Sequence, residues 1–266
     1  MANIQDAPMQ PMTTITVKWE KLPDDFKLPE EPVENTGQPL IAGALRESLE
    51  LVEYIQPQML IASNLGICAT VNDELVIKAP DWFYVSSVLP IALEADRKSY
   101  TPQVEGDTPG VVMEFLSETD GGEYSVKRSH PPGKWFFYEQ ILHIPTYVIF
   151  DPATGLLEVY RLQDKRYELE LPNAEGKHYL EDMGLFLGTW RGEKEGRTGY
   201  WLRWWDNNEN LLPWAVELVE QERQRAEVER QRAEIEHQRA EVERQRADRL
   251  AAYLRREGIN PDEIDL

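Results

Sequence analysis

Two apolar segments of the chain each contain a single carboxylate. Asp81 lies in the segment 79–85, and Glu114 lies in the stretch 111–116, which is otherwise continuously apolar. Both segments have the length and content of buried β-strands, and the second is typical of a central strand covered on both faces. A buried carboxylate without a partner is costly. The sequence therefore predicts that both acids have partners.

Lys134 is the predicted cation beside these acids, since it begins an amphipathic helix predicted at 134–142. Magnesium prefers hard oxygen ligands, usually one or two carboxylates with water. Metal-activated water can attack a phosphodiester, and a nearby lysine stabilises the developing charge. The pattern indicates a divalent-metal site formed by Asp81 and Glu114. Two ordinary salt-bridged or edge-strand carboxylates are the alternative.

The remaining apolar pattern predicts an α/β fold. Pro57 ends a helix at 44–56 whose apolar residues share one face. A loop is predicted at 94–109, and residues 185–205 are aromatic and irregular. The order of helix, antiparallel strands, buried strand, helix and strand is typical of a mixed central sheet flanked by helices. Strands are predicted at 59–62, 67–71, 75–78, 81–85, 111–116, 146–150, 156–162 and 166–171.

The domain organisation follows from shifts in composition along the 266 residues, which suffice for one domain of moderate size with an appendage. Residues 1–39 are rich in proline and acids, which predicts an extended arm with a short strand at 15–19. Residues 40–212 hold the predicted α/β domain. A long charged helix at 213–258 and an acidic tail at 259–266 complete the chain.

The charged helix contains a seven-residue repeat. Pro213 suits its first turn and Gly258 suits its end. Seven-residue repeats are typical of left-handed coiled coils, but here one of the two seam positions holds glutamine. A weak or conditional coiled coil, a solvated single helix and a partner-binding helix all stay open. The apolar seam residues are Val228, Ile235 and Val242, and the glutamines are Gln231, Gln238 and Gln245.

Composition limits the location and the mode of binding. No stretch approaches the ~20 apolar residues of a membrane span, and residues 1–10 lack the pattern of a secretory signal. With Cys68 as the single cysteine, we expect no internal disulfide, a cytoplasmic protein and no membrane partner. The net charge of −20 opposes broad electrostatic capture of nucleic acid. DNA binding would therefore require a local basic patch, a metal ion or a partner.

Four motifs in the predicted α/β domain resemble one known family. They are Pro80-Asp81, Val112-Met113-Glu114-Phe115-Leu116-Ser117, Lys134-x-x-x-Tyr138 and Ile144-Pro145-Thr146-Tyr147-Val148-Ile149-Phe150-Asp151-Pro152. Together they are similar to the motifs of the Uma-two family, bacterial putative restriction endonucleases of the PD-(D/E)XK superfamily. The resemblance covers roughly residues 40–190, and the charged helix resembles that of many members.

The resemblance implies a restriction-endonuclease-like α/β core that hydrolyses DNA. It implies that Asp81 and Glu114 bind Mg²⁺ or Mn²⁺ and that Lys134 assists catalysis. In the superfamily motif the lysine lies two residues after the acid, where this chain has Leu116, whereas the family pattern places it in the following helix. Lys127 is a second candidate for the cation. The loop acids that could add a ligand are Glu118, Asp120 and Glu123.

Two functional hypotheses follow. The first is a magnesium-dependent endonuclease acting on DNA, with Asp81, Glu114 and Lys134 as its catalytic residues. The second is a non-catalytic interaction protein that retains the nuclease fold, which the acidic composition and Leu116 favour. We also expect a homodimer, formed through the core or through the C-terminal helix.

Overall fold

The computed structural model describes residues 16–21, 36–92, 95–117 and 122–258. It divides the chain into two compact units, Met1–Leu212 and Pro213–Leu266. Most of the predicted arm and the acidic tail at 259–266 lie outside the described residues. The candidate ligands Glu118 and Asp120 lie outside them as well.

Thirteen strands and three α-helices occur in the described residues. The strands are β1 (Val17–Lys18), β2 (Leu60–Ala62), β3 (Gly66–Val71), β4 (Glu74–Lys78), β5 (Trp82–Val85), β6 (Ser99–Tyr100), β7 (Val111–Phe115), β8 (Thr146–Phe150), β9 (Leu157–Gln163), β10 (Arg166–Glu170), β11 (Lys177–Leu180), β12 (Leu185–Lys194) and β13 (Arg197–Trp205). The helices are α1 (Gly37–Leu51), α2 (Lys134–Phe136) and α3 (Ala215–Arg256).

Six strands form a mixed central sheet in the order β10-β9-β8-β7-β5-β2. Only β7 and β8 are parallel neighbours, and the other pairs in this sheet are antiparallel. Every residue of β7 and β8 is buried, as their continuous apolar sequences predict. The eight strands predicted from the apolar pattern all lie within one residue of their observed bounds.

The two faces of the central sheet are covered by different elements. Phe83, Val112 and Tyr147 share one face and pack with Phe137 and Tyr138, which follow α2 in the chain. On the other face, the ring of Trp82 lies 5.8 Å from the ring of Trp204 in β13. The indole N–H of Trp204 donates to a carbonyl of α1 at 3.1 Å. The mixed sheet is thus flanked by helices, and the predicted α/β fold class is confirmed.

The helix that begins at Lys134 changes its winding after one turn. Residues Phe137–Ile141 form a π-helix. The N–H of Leu142 donates at 2.9 Å to the carbonyl of Phe137, which lies five residues earlier in the chain. Such wide turns are frequent at functional sites. The predicted helix at 134–142 therefore exists, but most of it is π-helical.

The predicted bounds of the first helix are wrong. Helix α1 begins at Gly37 instead of residue 44, because Pro39 is tolerated in its first turn. It ends at Leu51 instead of residue 56. Two residues after this end, Glu53 adopts a left-handed conformation with φ of 56°, which is common just beyond the end of a helix. Its start lies inside the predicted arm.

The sequence pattern predicted that the aromatic region 185–205 is irregular, and this prediction is wrong. The region forms strands β12 and β13, which are antiparallel. Their pairing runs from Phe186 opposite Trp205 to Lys194 opposite Arg197. Glu195 and Gly196 connect them with positive φ values of 53° and 74°. This conformation at both turn residues is that of a two-residue hairpin. Strand β11 and the short β6 were also missed.

Helix α3 confirms the predicted long C-terminal helix. Its 42 residues extend over about 63 Å, and none of them is buried. In the part of the chain that the structure describes, no helix combines the length and hydropathy needed to cross a membrane.

Candidate active site

Strands β5 and β7 bring the two predicted carboxylates together. Trp82 pairs with Met113 in the antiparallel register, so Asp81 lies at the position opposite Glu114. Residues directly opposite each other in antiparallel strands project from the same face. The backbone N–H of Phe115 also donates to Oδ2 of Asp81, which ties this carboxylate to the strand that carries Glu114.

Glu114 links the sheet to the helical segment above it. Its side chain is 1% exposed, and Lys134 donates from Nζ to Oε2 at 3.0 Å. The hydroxyl of Tyr138 donates to Oε1 at 2.8 Å. Since Lys134 and Tyr138 are four residues apart, they reach the same carboxylate from successive turns. Each oxygen of Glu114 therefore has one partner and retains a free lone pair.

Glu123 is a third carboxylate at the same cation. Its Oε1 lies 3.8 Å from Nζ of Lys134, and its side chain is 3% exposed. Its buried Oε2 has no hydrogen-bond partner in the described structure. The Tyr147 hydroxyl, donating to the Glu123 carbonyl at 2.9 Å, holds the loop in place. Of the three loop acids predicted as extra ligands, Glu123 is the one that the structure describes.

Gly133 allows this loop to approach the start of α2. A Cβ atom at residue 133 would lie 2.1 Å from the carbonyl oxygen of Ser125, a contact that no side chain tolerates. The close approach places Glu123, two residues before Ser125, beside Lys134. A glycine immediately before the lysine is therefore required by packing at this point.

Burial and excess negative charge shift the pKa values in this cluster. The pKa of Glu114 is raised to about 8, chiefly by desolvation and also by the charge of Asp81, against the opposing effect of Lys134. Burial alone would lower the pKa of Lys134, but Glu114, Glu123 and Asp81 outweigh it and raise that pKa above its usual value. The cluster thus combines three acids with one protonated lysine.

Two tyrosines and a glutamine complete the surroundings. Burial, reinforced by the charge of Glu114, raises the pKa values of Tyr138 and Tyr147 far above their usual range, so both keep their hydroxyl protons. Gln38 of α1 donates from Nε2 to the carbonyl of Phe115 at 2.7 Å. The sequence pattern assigned no role to Gln38. For Tyr138, the sequence feature that indicated a place near Glu114 was its spacing of four residues from Lys134.

Among the described residues, the second candidate for the cation makes no ion pair with Glu114 or Glu123. Lys127 is exposed, and the ion pairs of Glu114 and Glu123 are both made with Lys134. Leu116 lies two residues after Glu114, where the superfamily motif that the sequence resembles has its lysine. Among the described residues, no group of three or more His, Cys, Asp or Glu side chains is arranged to hold a metal ion.

A family model and a solved structure are similar to the chain. A family model described as "Uma2: Putative restriction endonuclease" matches residues 30–190, more than half of the chain. The crystal structure of a putative nuclease belonging to DUF820 from Anabaena variabilis is 16% identical. That match covers 54% of this chain and 72% of the other, with a TM-score of 0.34. No curated protein matches the chain.

Proposed function

The chain belongs to the Uma2 family of putative restriction endonucleases, and from this we propose that it is a magnesium-dependent endonuclease that hydrolyses DNA. The observation that carries the proposal is the buried carboxylate of Glu114, which lies opposite Asp81 and accepts a hydrogen bond from Lys134. Glu114 lies in β7, Asp81 immediately precedes β5, and Lys134 begins α2.

Asp81 and Glu114 suit a hard divalent cation, Mg²⁺ or Mn²⁺. They present carboxylate oxygens from adjacent strands, and three acids surround one ammonium group. Within the described residues the buried Oε2 of Glu123 has no partner, and this supports a further cation in the cluster, since buried polar atoms are normally paired. Asp81 and Glu114 would hold the ion, with Glu123 beside it.

A bound divalent ion would supply activated water and charge stabilisation at the scissile phosphate. Lys134 contributes a fixed positive charge, because its raised pKa keeps it protonated at neutral pH. It therefore serves as an electrostatic stabiliser of the developing charge and not as a general base. Tyr138 keeps the Glu114 carboxylate oriented through its 2.8 Å hydrogen bond.

The proposal is tested by incubating purified protein with supercoiled plasmid, with Mg²⁺ and with EDTA. We expect Mg²⁺-dependent nicking or linearisation that falls at least about 100-fold in Asp81→Asn, Glu114→Gln and Lys134→Met. Glu168→Gln on β10 is the matched control, since Glu168 is an exposed strand acid. Cleavage that survives Asp81→Asn or Glu114→Gln would refute the assigned site.

A non-catalytic interaction protein is the second candidate. It is favoured by the hydrogen bonds that Lys134 and Tyr138 donate to the two Glu114 oxygens, because a purely structural buried ion pair would have the same contacts. The net charge of −20 points the same way, because it opposes DNA binding at low salt. This candidate predicts neither cleavage nor Mg²⁺ binding at Asp81 and Glu114.

A further inference from the structure

Helix α3 has a narrow apolar seam exposed to solvent. Its β-branched residues recur every seven positions and are about half exposed, at 46%, 50% and 61%. If they occupy position a of a heptad, position d is glutamine in each repeat. The a residues are Val228, Ile235 and Val242, and the d residues are Gln231, Gln238 and Gln245.

The positions flanking this seam carry a strict charge pattern. Position g is glutamate in three successive heptads, and position e is arginine in the same three. The g residues are Glu227, Glu234 and Glu241, and the e residues are Arg232, Arg239 and Arg246. Position f, opposite the seam, is alanine throughout, at Ala226, Ala233 and Ala240. The charges that border the seam are thus segregated by sign.

Contacts within the helix leave this pattern available to a partner. Each seam glutamine donates to the glutamate four residues before it, at 2.9, 3.0 and 3.2 Å, which holds the carboxylates beside the seam. Within the described chain, Arg232, Arg239 and Arg246 have no ion pair or hydrogen bond of their own. Arg225, at the preceding e position, instead pairs with Glu222 at 2.7 Å.

The sign pattern selects one arrangement of two helices. In a parallel pair, each g residue meets the e residue of the next heptad on the partner. Glu227 would then face Arg232, and Glu234 would face Arg239, so all such contacts are attractive. In an antiparallel pair, g meets g and e meets e, so glutamates would face glutamates and arginines would face arginines. Only the parallel orientation is complementary, and the in-register alignment makes the most g–e contacts.

We infer that α3 pairs with α3 of a second copy of this chain as a parallel, in-register, two-stranded coiled coil. β-Branched residues at position a are typical of two-stranded coiled coils, which usually have leucine at position d. The glutamines at position d weaken the apolar core, so the flanking charges carry a large part of the specificity. Because exposed charges are screened by salt, the pairing weakens as ionic strength rises. This inference is independent of the proposed nuclease activity.

A charge-exchange experiment on the full chain tests the pairing. In variant one, Arg232, Arg239 and Arg246 are replaced by Glu, and in variant two, Glu227, Glu234 and Glu241 are replaced by Arg. Sedimentation velocity at low salt should show a dimer for the parent chain and at least a tenfold weaker dimer for either variant alone. An equimolar mixture should restore the dimer, because every g–e contact is attractive again.

A matched control separates this effect from net charge. Arg223, Arg230 and Arg244 lie at position c, away from the seam, so replacing them by Glu changes the charge equally and should leave the dimer intact. A monomeric parent chain would overturn the inference, and the seam would then serve another protein. A trimer, or equal losses in the control and variant one, would overturn it too.

The orientation is tested by one cysteine. In Val228→Cys, parallel helices in register bring the two new thiols together near one end of the seam, and mild oxidation should give a covalent dimer. The parent chain is the control, since its own Cys68 is buried. An antiparallel pair would place the two thiols at opposite ends of the seam. A dimer that fails to crosslink would therefore contradict the parallel arrangement.

Discussion

Charged residues occupy two opposite environments in this protein. Around Glu114, three carboxylates and one lysine are enclosed by the central sheet and the helical segment. Along α3, glutamates and arginines alternate on a helix with no buried residue. Exposed ion pairs contribute little to stability, whereas a buried charge that loses its partner is strongly destabilising. The same residue types therefore have very different energetic weight in the two regions.

The largest expected effect follows from Lys134→Met. This change removes the ammonium group that pairs with Glu114 at 3.0 Å and lies 3.8 Å from Glu123, which leaves two buried carboxyl groups without their cation. We expect the free energy of unfolding, measured by urea denaturation without divalent ions, to fall by about 3 kcal/mol. Lys127→Met, at an exposed lysine of the preceding loop, is the control and should change it by less than about 0.5 kcal/mol. Equal losses of unfolding free energy in Lys134→Met and Lys127→Met would contradict the difference between buried and exposed charges.

Tyr138→Phe should have the next largest effect. It removes one hydroxyl that donates to a fully buried carboxylate, and a hydrogen bond to a charged group contributes about 1.5–3 kcal/mol. Thermal and urea unfolding should both record the loss. Tyr253→Phe on α3, where the side chain is 60% exposed, is the matched change. If both variants unfold alike, the Tyr138 hydroxyl does not hold Glu114.

A smaller effect concerns the pH dependence of stability. Burial lowers the pKa of His178 below its usual value, although Glu170 partly offsets this. The unfolded chain therefore binds more protons than the folded one near and below pH 6.5, so stability should decrease as the pH falls through that range. His178→Gln should flatten the curve between about pH 7 and 5, while His237→Gln on α3 should not. Superimposable curves for His178→Gln and the parent would contradict the assignment.

The smallest effect is expected for a single exposed pair. Arg230 contacts Glu227 at 3.1 Å, and both side chains are largely exposed. Arg230→Ala should leave the unfolding midpoint of the full chain unchanged at moderate salt, because such pairs are solvated and screened. A clear loss of stability would show that the charges of α3 are less exposed than this comparison requires.

Much of the fold was predictable because the strands of the central sheet are short, apolar and bounded by turn residues. The continuous apolar sequence of β7 predicted its burial, and the same strand drew attention to Glu114. Helix α1 was harder, since Pro39 in its first turn resembles the proline-rich arm before it. Strands β12 and β13 were missed because bulky aromatic residues occupy both faces of the hairpin and obscure its two-residue period.

The site was predictable only in part. Asp81, Glu114 and Lys134 could be selected from their types and positions, and the structure brings them together. The contacts of Tyr138 and Glu123 depend on how the π-helical segment and the loop cross the sheet. No local pattern contains that information, since the pairs Glu114–Tyr138 and Glu123–Lys134 join separate elements. The roles of these residues in metal binding and catalysis are still proposals.

A calorimetric titration of Mg²⁺ tests the central claim most directly. The parent chain, Glu114→Gln and Glu168→Gln would be titrated at neutral pH and equal salt. We predict one Mg²⁺ site in the parent chain and in Glu168→Gln, and its loss in Glu114→Gln. Absence of binding in the parent chain, or binding that persists unchanged in Glu114→Gln, would contradict the account.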